Sequence, residues 1–221
     1  DMAISPAVGS IHNIALAGTA DMSADGGVSS SGLGVVFRLE AGTWLTGGWE
    51  DTRCYAGWDG GGDDPCDDGD WTIWSDAVVA VDFSPNFDMD DTIVCMSVAD
   101  IDDVWEAHLP FLQEGTWNGG GAWNAEAGFG SAPLQITDEG TTLLTIGARY
   151  MMGFALPADF DGQDGSANNI YLYVNALHTV SEEFGGFVFI SEDCDDLSMR
   201  CGPSGDPVLA SIDVYGDADT C

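Results

Sequence analysis

Lysine is missing altogether, and only four arginines (Arg38, Arg53, Arg149, Arg200) stand against 38 acidic residues, for a formal net charge of −34. Phosphate backbones are held by clustered Lys and Arg, so nucleic acid is excluded as a partner. Anionic membrane surfaces are excluded by the same argument. With so few cations, internal ion pairs cannot neutralise the surface. Bound cations, high external salt or plain spacing must offset the like charges.

Long apolar runs are also missing. No stretch approaches the ~20 residues that span a bilayer, and no basic segment opens the chain, so membrane insertion is not expected. The expectation is that any signal peptide has been removed and that the chain is a segment of something longer. Helical periodicity is nearly absent. Only Asp100 to Leu112 reads as one amphipathic helix, and Pro110 argues against its end. There is no C-x-x-C, and His12, His108 and His178 do not fall near the cysteines at zinc-ligand spacing. No G-x-S-x-G is present, and no histidine has a persuasive nucleophile partner.

What is present is a chain of 221 residues, 45% of them apolar, which is enough to bury a core despite the charge. Short runs rich in β-branched and apolar residues recur at roughly 10-residue intervals between Gly, Asp and Pro turns, the pattern of an all-β sandwich, barrel or propeller. The stretch Val78 to Asp100, VVAVDFSPNFDMDDTIVCMSVAD, reads as a hairpin broken at Ser84-Pro85-Asn86. Met151 to Asn175 repeats the plan around Pro157, and the first residues repeat it around Pro6. The prolines are 79 and 72 residues apart, and the tryptophans of the two Gly-Thr-Trp turns, Trp44 and Trp117, are 73 apart. Two anchors in one order at one period point to repeated units. We read one all-β region over 1–221, made of three units near 1–50, 77–123 and 144–200. A strand is also expected over Val208 to Tyr215.

Six cysteines point to an oxidising compartment. Cys54 and Cys66 bracket a Gly/Asp loop, and Cys194 and Cys201 bracket DDLSMR. Each pair is close in sequence and expected to form a disulfide. Closing a loop of about a dozen residues is worth up to ~3 kcal/mol in the chain-entropy view. Cys95 and Cys221 are left to pair with each other or with something outside the chain.

FSPNFDMDDTIVCMS followed by VWEAHLPFLQEGTW resembles the repeat of secreted β-propellers of the sialidase-like, Asp-box (BNR-like) type. Thr137-Asp138-Glu139-Gly140-Thr141-Thr142-Leu143 is the closest match to the box, and Leu39 to Trp44 and Gln113 to Trp117 are degenerate copies. The resemblance implies antiparallel, propeller-like blades, with a β-sandwich as the alternative. It implies little about activity, because in that family the box is a structural turn. Three blades cannot close a ring of typically four to eight, so others would come from further chain or from a partner copy.

The candidate ligands are carboxylates. Asp159, Asp161 and Asp164 alternate with glycines in one turn, as a loop folding around a hard cation such as calcium requires. Ile170 stands where an EF-hand would close with an acid, which rules that motif out. Asp88, Asp90 and Asp91 occupy the equivalent turn of the central unit. The competing reading is an acidic solvated surface. No catalytic residue is assigned: a sialidase-like site needs converging arginines, and carboxylate pairs are uninformative among so many acids. Trp49, Trp58 and Trp123 lie in loops, where they stack on sugars or pack internally. The reading is an extracellular or cell-surface structural or adhesive protein, non-enzymatic and stabilised by cations, which associates with itself or with other surface proteins. The alternative is a secreted propeller that binds glycans or acts on glycosides.

Overall fold

From Thr92 to Ala99 every side chain is buried, so this run has no polar face to give to water. A strand of that kind must lie inside the molecule with a layer on each side. The computed structural model places it there. It describes residues 1–20, 33–42, 48–52, 55–58, 77–100, 107–117, 121–127, 133–146, 152–192, 196–201, 209 and 211–214.

Three four-stranded antiparallel meanders follow one another. The first is β1 (Met2–Ile4), β2 (His12–Ala20), β3 (Leu33–Ala41) and β4 (Glu50–Asp51), paired in sequence order. In the second, β5 (Ala77–Phe83) pairs with β6 (Thr92–Asp100), β6 with β7 (Ala107–Thr116), and β7 with β8 (Ala122–Trp123). A single helical turn, α1 (Phe87–Asp90), sits between β5 and β6, and α2 (Asn124–Ala127) follows β8. Between the second and third meanders come β9 (Leu134–Gln135), β10 (Thr137–Asp138) and β11 (Thr141–Ile146). The third consists of β12 (Met152–Ala155), β13 (Ile170–His178), β14 (Glu183–Glu192) and β15 (Asp196–Cys201). The fold is thus all-β. Among the described residues its strand pairings are antiparallel, apart from one isolated parallel bridge between Ala56 and Ala122.

β11 joins the last two meanders into one sheet. Thr145 and Ile146 pair with His108 and Ala107 of β7, whereas Leu143 and Leu144 pair with His178 and Leu177 of β13. That sheet curls back until β12 packs on β5 and β6. The described residues of the segment expected to be helical, Asp100 and 107–112, are strand and not helix. Pro110 is accommodated because its missing N–H falls where β7 changes neighbours, from β11 at His108 to β9 at Phe111. Its carbonyl still accepts from the Ile136 N–H at 2.9 Å.

Alternation along β6 divides the interior in two. Val94, Met96 and Val98 join Leu112, Leu143, Leu172, Val174 and Phe189 in the core toward the third meander. Ile93 and Cys95 face Ala15, Ala17 and Val36 of the first, with Phe83, Phe87 and Trp117. The described residues of the expected last strand, Leu209 and 211–214, are in no strand. Leu209 exchanges two 2.7 Å hydrogen bonds with the Asn175 side-chain amide, which takes the place of a neighbouring backbone. The expected pairings Cys54–Cys66 and Cys194–Cys201 lie outside the described residues, as does Trp44, except for the backbone of Cys201 in β15.

Candidate functional site

The turns after β5 and β12 meet, and Asp90 is the centre of that contact. Pro85 closes β5 at Ser84, α1 brings the chain round, and Asp90 ends up buried at the helix's last position. Its Oδ2 accepts from the Ser84 hydroxyl at 2.6 Å and from the Gly162 N–H at 3.0 Å, while Oδ1 accepts from the Thr92 N–H at 3.0 Å. Three donors compensate the desolvated carboxylate. Asn86 adds a bond from Nδ2 to the Phe160 carbonyl at 2.8 Å. The approach requires glycine at 162, since a Cβ there would lie 2.4 Å from the Thr92 hydroxyl oxygen.

The remaining acids of these turns are used differently. Asp91 takes a left-handed φ of 52°, donates its N–H to the Phe87 carbonyl and accepts the Trp117 N–H at its own carbonyl, both at 3.1 Å. Asp88 is exposed. Asp161 accepts the Gln163 N–H at 2.8 Å, and Asp164 accepts the Ser166 N–H at 3.0 Å and its hydroxyl at 2.8 Å. These bonds, the backbone one first, hold the Asp164 carboxyl below its usual range. Asp159 is half-buried in the same turn. Among the described residues no three His, Cys, Asp or Glu side chains form a group able to hold a metal ion.

On the other side of the second meander the joint is cationic. Arg38 of β3 lies 4.9 Å from the Trp117 ring centroid, pairs with Glu40 at 2.8 Å, and reaches Asn13 Oδ1 at 3.2 Å and the Trp117 carbonyl at 3.3 Å. Burial raises the Tyr55 phenol above its ordinary pKa, and the Arg38 hydrogen bond opposes the rise. Sequence reasoning passed over Arg38. Its only signal was being one of four cations in a strand-like run.

His178 and His12 serve the framework. His178 Nδ1 accepts the Ser181 N–H at 3.0 Å, which leaves the proton on Nε2, 3.4 Å from Asp138. Asp138 leads into the turn between β10 and β11, in which Glu139 and Gly140 both adopt positive φ, 46° and 80°. His12 donates from Nδ1 to the Ser5 carbonyl at 2.8 Å. Of the three tryptophans expected in loops, Trp123 lies instead in β8, where it is buried and packs edge to face on buried Trp58, and Trp49 is exposed.

A cleft of about 350 Å³ opens where β5 and β12 run side by side, with Asp1, Asp82, Phe154 and Tyr173 in its walls. Asp82 reaches solvent but is hemmed in by protein, and this desolvation raises its carboxyl above the usual range against the opposing Phe83 N–H bond. Burial likewise raises the Tyr173 phenol. The cleft therefore offers hydrogen-bonding oxygens beside an aromatic wall. No protein-family model, curated protein or solved structure matches the chain.

Proposed function

We propose that the chain is a non-enzymatic extracellular structural or adhesive protein, whose meanders serve as propeller-like blades of the sialidase-like, Asp-box kind in a cell-surface assembly. The observation that carries this reading is where the reactive side chains are used. Asp90, Arg38 and His178 are all held in contacts between or beside the meanders. Further copies or other surface proteins are the partners. The test is assembly of the purified protein, followed by light scattering and electron microscopy, alongside a glycan array and a polysaccharide-hydrolysis panel. Ordered self-assembly without turnover is expected, and hydrolysis of any polysaccharide overturns the reading.

The cleft with Asp82 and Tyr173, together with exposed Trp49, favours a second reading as a glycan-binding or glycoside-acting protein. Saturable glycan binding abolished by Trp49→Ala or Tyr173→Phe would establish it. Cation stabilisation belongs to the first reading and rests on the spacing of Asp159, Asp161 and Asp164 alone, since their side chains do not converge in the turn and would have to gather around calcium. Melting in calcium chloride is then expected to exceed melting in sodium chloride of equal ionic strength, and Asp161→Asn is expected to shrink the gain. Equal gains from both salts would remove calcium from the reading.

A further inference from the structure

The segment expected to be the last strand lies across a sheet face, which is why it forms no ladder. Along β13, Leu172, Val174 and Ala176 point into the core, so Tyr173 and Asn175 lie on the opposite face. β13 is paired on both edges, with β12 and with β14, and a segment crossing its face finds no free ladder groups there. The buried Asn175 side chain supplies them instead. Its Oδ1 accepts the Leu209 N–H and its Nδ2 donates to the Leu209 carbonyl, both at 2.7 Å, which pairs both backbone groups of one residue. Gly186 is the direct partner of Asn175 on β14, and a Cβ there would lie 2.5 Å from Leu209 Cγ. The leucine takes the space that a side chain at 186 would fill. Tyr173, two residues along the same face, walls the cleft beside β5, and Ser211 and Ile212 stand in that wall with it. Two residues of extended chain cover ~7 Å, so the segment leads from the notch at Gly186 to the cleft.

We infer that Asn175 and Gly186 form a docking notch for a peptide segment with a central apolar residue, and that residues 209 and 211–214 occupy it as a releasable strap over the cleft between β5 and β12. The occupant is this chain's own segment, seated in the notch by Leu209. Among the described residues, the strap's hydrogen bonds to the sheet are the two with Asn175, and the Val214 N–H bonds Asp213 Oδ1 within the strap. Ser211 and Asp213 are exposed, while Ile212 and Val214 are half-buried. A segment tied at a single residue opens without unfolding the meander beneath, whose ladder from Ile170 to His178 stays paired. Its departure removes Ser211 and Ile212 from the cleft and leaves Asp82, Phe154 and Tyr173 open to a ligand. The strap goes beyond both functional readings and depends on neither.

A labelled peptide of sequence PVLASIDV, residues 207–214, tests the notch when added to the full chain. The tethered strap competes at high effective concentration, so the parent protein is expected to bind the peptide weakly. Leu209→Ala loosens the strap and raises the open fraction, and is expected to tighten peptide binding by about tenfold or more. Adding Gly186→Val to Leu209→Ala is expected to abolish binding, because the notch is then filled. Circular dichroism melts establish that the variants fold, and Gly186→Ala replaces the valine variant if it does not. Hydrogen exchange gives a readout without peptide: Leu209→Ala is expected to speed exchange over 209–214 and to leave β2 and β3 unchanged. No peptide binding by Leu209→Ala, binding indifferent to the substitution at Gly186, or exchange accelerated throughout the chain overturns the proposal.

Discussion

Between the first and second meanders the contact is aromatic and small-residue, with Ala15, Ala17 and Val36 set against Phe83, Phe87 and Trp117 and with Arg38 stacked on Trp117. Between the second and third it is mainly aliphatic, with Val94, Met96, Leu172 and Val174 packed around Phe160 and Phe189, and it is pinned at one end by Asp90 and Gly162. The same strand, β6, supplies both contacts from its alternate sides. The difference is in where polarity is tolerated. The cation sits at a half-open edge where its guanidinium keeps some water, whereas the buried carboxylate is surrounded by three short donors.

Emptying either contact breaks the comparison most severely. Phe160→Ala, at a fully buried site in the aliphatic contact, is expected to cost ~3–5 kcal/mol in urea unfolding. Replacing the hub is next. Asp90→Ala strands the Gly162 and Thr92 N–H groups and is expected to cost about 2–3 kcal/mol. Gly162→Ala, which forces a Cβ against Thr92, is expected to cost ~1–3 kcal/mol through the same contact. Hydrogen exchange should then accelerate in the 157–168 turn more than in β2 and β3. Equal acceleration everywhere would mean that the hub does not belong to one contact.

The aromatic contact is sharpened by Arg38. Arg38→Ala is expected to cost ~1–2 kcal/mol, and Arg38→Lys to recover less than half, because an ammonium cannot stack flat on Trp117 while also bonding Asn13. Full recovery with lysine would reduce the residue to a charge. The smallest effect concerns Cys95. Its thiol is fully buried, and burial first and the neighbouring Glu114 charge second push its pKa far above the ordinary value of 9.0. The unfolded thiol ionises from pH ~9 upward and the folded one does not, so the unfolded state binds fewer protons there and stability falls as pH rises through that range. The Cys95 peptide should resist alkylation at pH ~9 in native protein and react in urea. Native labelling at the urea rate would place the thiol elsewhere.

The strands were readable because their side chains carry the signal themselves. Thr92 to Val98 admits few alternatives to a strand buried on both faces, and Ser-Pro or Leu-Pro after β1, β5 and β12 marks where each strand stops. Asp88, Asp90 and Asp91 were indistinguishable as letters. In the fold one is exposed, one is a buried acceptor of three bonds and one adopts a left-handed backbone. The strand expected over Val208 to Tyr215 had the right composition, but its pairing depended on an amide, Asn175, 34 residues away.

The sequence alone determined that the chain is all-β, that strands stop at Pro6, Pro85 and Pro157, and that its net charge is −34. These are properties of composition and local spacing, which act on each segment by itself. Tertiary structure decided which acids are structural, which tryptophans are covered and where Arg38 stacks. Each of those depends on what a distant segment places opposite the residue, and burial and hydrogen-bond partners are set there, not by the neighbours in sequence.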